Sequence, residues 1–157
     1  VYTQKSISWP PSGGVDSMPG RGRIREFQGA NPAAGSEISD NVPAGRIWHI
    51  LACNFIFVTA ATVGSRRMHI TFVGSVGITI EAFSTIDQII SETKTYSIAQ
   101  YPEILDEQDT NTILISMPQN IYLPEGASIE TLTANLAAGD NYGPNTMLIE
   151  EFFAPPL

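Results

Sequence analysis

The chain is predicted to fold as an all-β protein, an antiparallel β-sandwich or jelly roll that carries an extended N-terminal arm. Three observations predict this. Segments rich in β-branched and aromatic residues recur from Gly45 onward, most of them alternating apolar and polar residues. Breaks containing glycine or proline separate them roughly every 8–15 residues. No segment has the 3.6-residue spacing of an amphipathic helix. Strands at that interval indicate stacked antiparallel sheets rather than the strand–helix alternation of a parallel sheet.

Taken in order, residues 1–44 are punctuated by Pro10-Pro11, Gly13-Gly14, Pro19-Gly20, Asn31-Pro32 and Pro43, which break helices and central strands alike. This stretch is read as the arm. Within it only residues 23–28 alternate well enough to pair as an edge strand. Residues 45–157 form the sandwich, and removing residues 1–35 is expected to leave it folded. Arg46–Val58 is a long strand apolar on both faces, with Ile47, His49, Leu51, Cys53, Phe55 and Phe57 on one side and Trp48, Ile50, Ala52, Asn54, Ile56 and Val58 on the other. Arg66–Val73 reads as half-buried through Met68, Ile70 and Phe72. Ile78–Phe83, Lys94–Gln100 and Thr112–Met117 follow, the last aligning Ile113, Ile115 and Met117. Leu123-Pro124-Glu125-Gly126 is a turn, and Ser128–Ala134 and Thr146–Phe153 are the final strands.

Composition narrows the function classes. Charged residues make up 15%, well under the usual quarter. A surface so poor in charge is covered by Ser, Thr, Asn, Gln and Gly or is hidden against partners. The formal net charge is −8, unevenly placed. Lys5, Arg21, Arg23 and Arg25 against Asp16 leave residues 1–25 at +3, and the remainder at −11. An acidic body repels phosphate backbones, so nucleic acid is excluded as its partner. No apolar run reaches the ~20 residues of a membrane helix, and VYTQKSISWPPSGG has no apolar core of the signal-peptide kind. The basic arm is expected to dock on an acidic neighbour, with Trp9, Arg21, Arg23, Arg25 and Phe27 as its contact residues.

Reactive groups are few. Cys53 is the one cysteine, which excludes an internal disulfide, and its apolar surroundings suit an inert buried thiol. His49 and Cys53 on one straight strand face would stand about 13 Å apart, too far to act as a pair. Two histidines and one cysteine give no zinc spacing. Glu103, Asp106, Glu107 and Asp109 cluster, but without the glycine that turns a calcium loop they read as a solvated acidic segment. Glu150 and Glu151 fall on opposite faces of a strand and cannot work as a catalytic pair. Tyr101, Tyr122 and Tyr142 are too scattered for a sugar-binding platform. The expectation is a chain with no catalytic residue, no cofactor and no metal.

Five fragments occur in order: Gly45-Arg46-Ile47-Trp48, Val63-Gly64-Ser65-Arg66, Leu123-Pro124-Glu125-Gly126-Ala127-Ser128-Ile129, Gly139-Asp140 and Glu150-Glu151-Phe152. Together, over residues 43–153, they resemble small virion structural proteins of tailed bacteriophages, in particular jelly-roll capsid decoration (cement) proteins. The resemblance implies a non-enzymatic protein of the capsid surface, made in the host cytoplasm. It also implies binding to the major capsid protein or other virion proteins as a homo-oligomer, with three copies the expected number. A tail, baseplate or fibre component of such a virion is the alternative, and a carbohydrate-binding module a second. The fold reading itself is checked by far-ultraviolet circular dichroism. A sheet-type spectrum is expected, and a helical double minimum would refute it.

Overall fold

A computed structural model describes residues 22–77, 79–100, 107–109 and 111–153. It contains twelve strands among them: β1 (Arg23–Gln28), β2 (Ser39–Asn41), β3 (Arg46–Val58), β4 (Arg67–Val73), β5 (Thr79–Phe83), β6 (Thr93–Ala99), β7 (Glu107–Asp109), β8 (Thr112–Ser116), β9 (Tyr122–Leu123), β10 (Ser128–Ala134), β11 (Asn141–Tyr142) and β12 (Thr146–Phe153). They form two sheets. The larger runs β1-β12-β3-β6-β8-β7, and the smaller β2-β10-β4-β5. Without the short or inserted strands β7, β8, β9 and β11, the sheets become β1-β12-β3-β6 and β2-β10-β4-β5, which is the strand order of a jelly roll. Pairing is antiparallel except between β6 and β8, which run parallel.

β3 is the spine of the larger sheet. One of its edges is served by β12 and then β11, the other by β9 and then β6. Its alternation is not continuous. Ile149 pairs with Ile50 and Leu148 with Ala52, so Leu51 is an extra residue, a β-bulge. One inserted residue exchanges the two faces. The core side chains are therefore Trp48 and Ile50 before the bulge, and Cys53, Phe55 and Phe57 after it. The straight-strand assignment of faces from sequence is corrected here, and His49 and Cys53 lie on opposite sides of the sheet rather than on one.

Between the sheets, Trp48, Ile50 and Phe57 meet Met68, Ile70, Phe72 and Ile129, all essentially inaccessible. Phe57 stacks on Tyr142 with ring centroids 4.2 Å apart. The smaller sheet begins earlier than residue 45. Ile38 and Val42 enter the core on either side of β2, and β1 pairs along its length with β12. Residues 22–44, assigned from sequence to the arm, thus carry an edge strand in each sheet. Removing residues 1–35 would take away β1, so the expectation that this leaves the sandwich intact does not fit the strand pairing.

Asp40 on β2 points inward beside Ile129 and accepts a hydrogen bond from Asn145 Nδ2 at 3.1 Å. Gly29 lies so close to the Asp40 carboxylate that no Cβ would fit there. Burial pushes the Asp40 carboxyl above its ordinary range, although the bonds from Asn145 and the Ala30 backbone oppose the shift.

Four connections between the sheets converge at one end of the sandwich: 29–38, 59–66, 84–92 and 135–140. Arg66 and Asp140, at 1% and 0% exposure, join them. Arg66 donates from Nε to Asp140 Oδ2 at 2.9 Å and from Nη2 to Oδ1 at 3.1 Å, a two-point contact. Its Nη1 reaches the carbonyls of Thr62 and Gly64. The Asp140 carboxylate also accepts from Ala60 N (2.8 Å) and Ala137 N (2.7 Å), and the Asp140 carbonyl accepts from Gly35 N (2.7 Å). The Arg66 backbone exchanges hydrogen bonds with Gln88. The Gln88 amide in turn donates to Phe57 O and Glu92 O and accepts from Tyr96 OH. Burial alone would raise the Asp140 carboxyl, but the hydrogen bonds from Arg66, Ala137 and Ala60 outweigh it and hold the group below its ordinary range.

Removing one partner leaves an uncompensated buried charge. Asp140→Asn is therefore expected to cost about 3–5 kcal/mol in urea unfolding at pH 7, with Arg66→Met/Asp140→Leu recovering part of that loss. The pH dependence follows from the sign of each shift. Asp140, whose pKa is depressed on folding, contributes stability above the unfolded carboxylate range near about 4, and loses it as pH falls through the lower folded value. The deficit of Asp140→Asn should shrink below that pH. Asp40, whose pKa is raised, acts in the opposite sense, losing stability as pH rises through its folded value. Asp40→Asn should consequently not lower stability at pH 7.

Candidate functional site

The residues expected to make contacts from the arm are placed differently by the fold. Trp9 and Arg21 lie outside the described residues. Arg23, Arg25 and Phe27 stand on β1 opposite Glu151, Ile149 and Met147, and so share the inward side of the larger sheet with them. Arg25 grips Glu151 at two points, Nε to Oε1 at 3.1 Å and Nη2 to Oε2 at 2.7 Å. Trp48 Nε1 donates to Glu151 Oε2 at 3.0 Å, and Phe27 packs on the Trp48 ring with centroids 4.6 Å apart. Burial pushes the Glu151 carboxyl upward, but the bonds from Arg25 and Trp48 bring it below its ordinary range. Arg25 and Phe27 therefore hold the edge strand to the sandwich. Arg23 is exposed and remains open to a partner.

Residues with chemical potential are likewise taken up by the fold. On the outward side of the larger sheet, His49 stacks on Tyr122 at 4.3 Å and pairs through Nδ1 with Glu150 Oε2 at 3.2 Å. Gly22 N donates to Glu150 Oε1. An imidazole held by a carboxylate is half of a base–nucleophile arrangement. The sheet register surrounds it with Ile47, Ile24, Tyr122 and Phe152, none of them a serine, threonine or cysteine, and Tyr122 meets the imidazole ring face to ring face. Cys53 sits on the other side, where burial pushes its thiol up to about 12, with the Asp40 charge adding to the shift. Glu150 and Glu151 project to opposite faces, as expected from alternation.

His69 lies on the outer face of the smaller sheet beside Phe83, ring centroids 5.6 Å apart. Tyr142 is fully buried and Tyr122 half-buried, while Tyr101, Glu103 and Asp106 lie outside the described residues. Glu107 and Asp109 bound the short strand β7. Among the described residues no group of three His, Cys, Asp or Glu side chains is placed to hold a metal, and no helix is long and apolar enough to cross a membrane.

The surfaces differ sharply in charge. Past the bulge, the outward residues of β3 are Ala52, Asn54, Ile56 and Val58, and those facing outward beside them on β6 are Thr93, Thr95, Ser97 and Ala99. β12 adds Thr146 and Leu148, and β8 adds Thr112, Leu114 and Ser116. None of these carries a charge. At the margins the register places Glu26 of β1 opposite Leu148 and Asp109 of β7 opposite Thr112. The outer face of the smaller sheet instead presents Arg67, Glu81 and Glu130, with Arg67 paired to Asp87. Sequence reading missed the uncharged face, because without the bulge its residues cannot be assigned to one side. The one available signal was the low charge content of the whole chain.

No family model matches the chain, and no curated protein matches it. Several solved structures are similar to it over part of their length, three of them as follows. One comes from the T13 viral particle of infectious bursal disease virus, with 14% identity and a TM-score of 0.44 over 94% of this chain and 35% of that chain. A second is from the Gx strain of the same virus, with 16% identity and a TM-score of 0.41 over 83% and 32%. The third, PfGH50B, has 9% identity and a TM-score of 0.38 over 86% and 23%. The chain thus spans about a third or less of each of these chains. Structures as differently titled as these do not distinguish one function from another.

Proposed function

We propose that the chain is a structural subunit of a viral particle, specifically a capsid decoration protein that binds the major capsid protein shell of a tailed bacteriophage and stabilises it. The observation that carries this reading is how the side chains are used. The described groups able to do chemistry are paired inside the fold or isolated on it, while past the Leu51 bulge the outward rows of β12, β3, β6 and β8 carry no charge. A protein built in this way acts through contact area. The ordered fragments of the bacteriophage resemblance support the same reading. Each bound copy bridges neighbouring shell subunits, so binding favours the assembled shell by mass action. Arg23, with Trp9 and Arg21 ahead of it, is the proposed contact of the basic arm, as the body of the chain is acidic.

The test is co-sedimentation of the purified chain with shells assembled without it. Saturable binding at hundreds of copies per particle, with a higher shell disruption temperature, is expected. Saturation at a handful of copies would reassign the chain to the tail, and absence of binding would refute the particle role.

A further inference from the structure

We propose that Asp40 and Asn145 share a proton, and that this proton closes a latch between an edge strand of each sheet, released as the carboxyl group ionises. Asn145 is fully buried, yet its amide is only half used. Nδ2 donates to Asp40 Oδ2 at 3.1 Å, while Oδ1 has no hydrogen-bond partner. Asp40, 6% exposed, accepts from Asn145 and from the Ala30 amide, which leaves about half of a carboxylate's lone-pair sites empty. It belongs to none of the ion pairs among the described residues. A buried carboxylate without a counter-charge and an acceptor with nothing to accept share one deficit, a missing donor. A proton on the Asp40 carboxyl group supplies it. The acid then donates to Asn145 Oδ1 and still accepts from Nδ2, a two-point pair of acid and amide.

The pair lies where the edges of the two sheets meet. Asp40 is on β2, Asn145 immediately precedes β12, and Gly29, just past β1, donates from its N–H to Asn145 O at 2.8 Å. Gly29 presses so closely on the carboxyl group that the end of β1 fills the space in which water would hydrate a negative charge. Ionisation removes the donor to Asn145 Oδ1 and leaves an unpaired charge beneath Gly29. Lifting the start of the 29–38 connection is then the direct way to hydrate that charge, and the two edge strands part there.

The surrounding titratable groups offer no substitute. Cys53, on the core side of β3, is a neutral thiol whose own ionisation the Asp40 charge opposes. Arg25 on β1 is bound to Glu151, and Glu37 ahead of β2 to Thr131 and Thr133. Glu130 adjoins Ile129 on β10 and faces outward. Lys94 and Tyr142 stand opposite Phe57, four residues along β3 from Cys53. Because burial raises the Asp40 carboxyl on folding, the latch is strongest below the unfolded carboxylate range near about 4. It weakens as pH rises from there, by up to about tenfold in the opening equilibrium per pH unit, and levels off past the folded value. Asp140 and Glu151, both held below their ordinary range, stay ionised throughout that window. The device stands apart from any binding of a shell.

The experiment is a carbon-13 NMR titration of the full chain from the carboxylate range up to neutrality, with hydrogen exchange followed over the same range. The Cγ signals of Asp40 and Asn145 are expected to move together, with a midpoint above the ordinary carboxylate value of about 4. Protection of the Gly29 amide should fall over the same interval, by up to about tenfold per pH unit. Asp40→Asn, whose amide offers Asn145 Oδ1 a donor at every pH, should hold that protection constant. Should this variant fail to fold, the wild-type titration decides alone. An Asp40 midpoint at or below about 4, an Asn145 carbon that does not follow Asp40, or Gly29 protection as pH-dependent in Asp40→Asn as in the wild type would overturn the proposal.

Discussion

One buried ion pair, Arg66 with Asp140, ties together the connections between the two sheets. A sandwich whose chain passes repeatedly between its sheets has to fix the connections that make those passages, or the sheets can slide. Arg66 and Asp140 lie where four such connections meet, and between them they satisfy backbone groups of the segments around residues 35, 60, 62–64 and 137. An ion pair is a demanding device for this purpose, since each charge gives up its hydration. The cost is offset only when nearly every donor and lone pair has a partner, and here the guanidinium and the carboxylate are each engaged several times over. Gln88 extends the same network to Phe57, Glu92 and Tyr96, coupling it to the core.

A second polar contact has a comparable role at the sheet edge. Glu151 gathers Arg25, Trp48 and, at 4.0 Å, Arg46, so that the edge strand is pinned to the long central strand. These two contacts give physical content to the fragments spread along the sequence. Arg66 belongs to one fragment and Asp140 to another; Trp48 belongs to a third and Glu151 to a fourth. They pair two by two inside the fold. The pattern is therefore a record of how this architecture is held, and bears on function only through the architecture. Function then rests on what faces outward, where past the Leu51 bulge the rows of β12, β3, β6 and β8 carry no charge.

Much of the fold was legible because period-two alternation survives without knowledge of partners. Met68, Ile70 and Phe72 could be assigned to one face from spacing alone, as could Ile113, Ile115 and Met117. What stayed hidden was whatever depends on a second strand. The bulge at Leu51 shows only in the register against Leu148 and Ile149, and without it the two faces of β3 cannot be separated. Strands of two or three residues, such as β9 and β11, carry too little pattern to announce themselves and exist because β3 extends past its longer neighbours. Arg25 and Phe27 looked like arm contacts because a short alternating segment gives no sign of its partner. Asp140 in Gly139-Asp140-Asn141 had the composition of an ordinary turn, and only the fold brings it to an arginine distant in sequence.

The central claim, that the Arg66–Asp140 pair makes the connections between the sheets part of the cooperative structure, is tested most directly by native-state hydrogen exchange. The amides of Ala60 and Ala137 donate to the Asp140 carboxylate from segments that would otherwise exchange as loops. The account predicts that both exchange only through global unfolding, with the same opening free energy as amides in the middle of β3. Exchange of either amide at the rate of an exposed loop, while β3 stays protected, would contradict it.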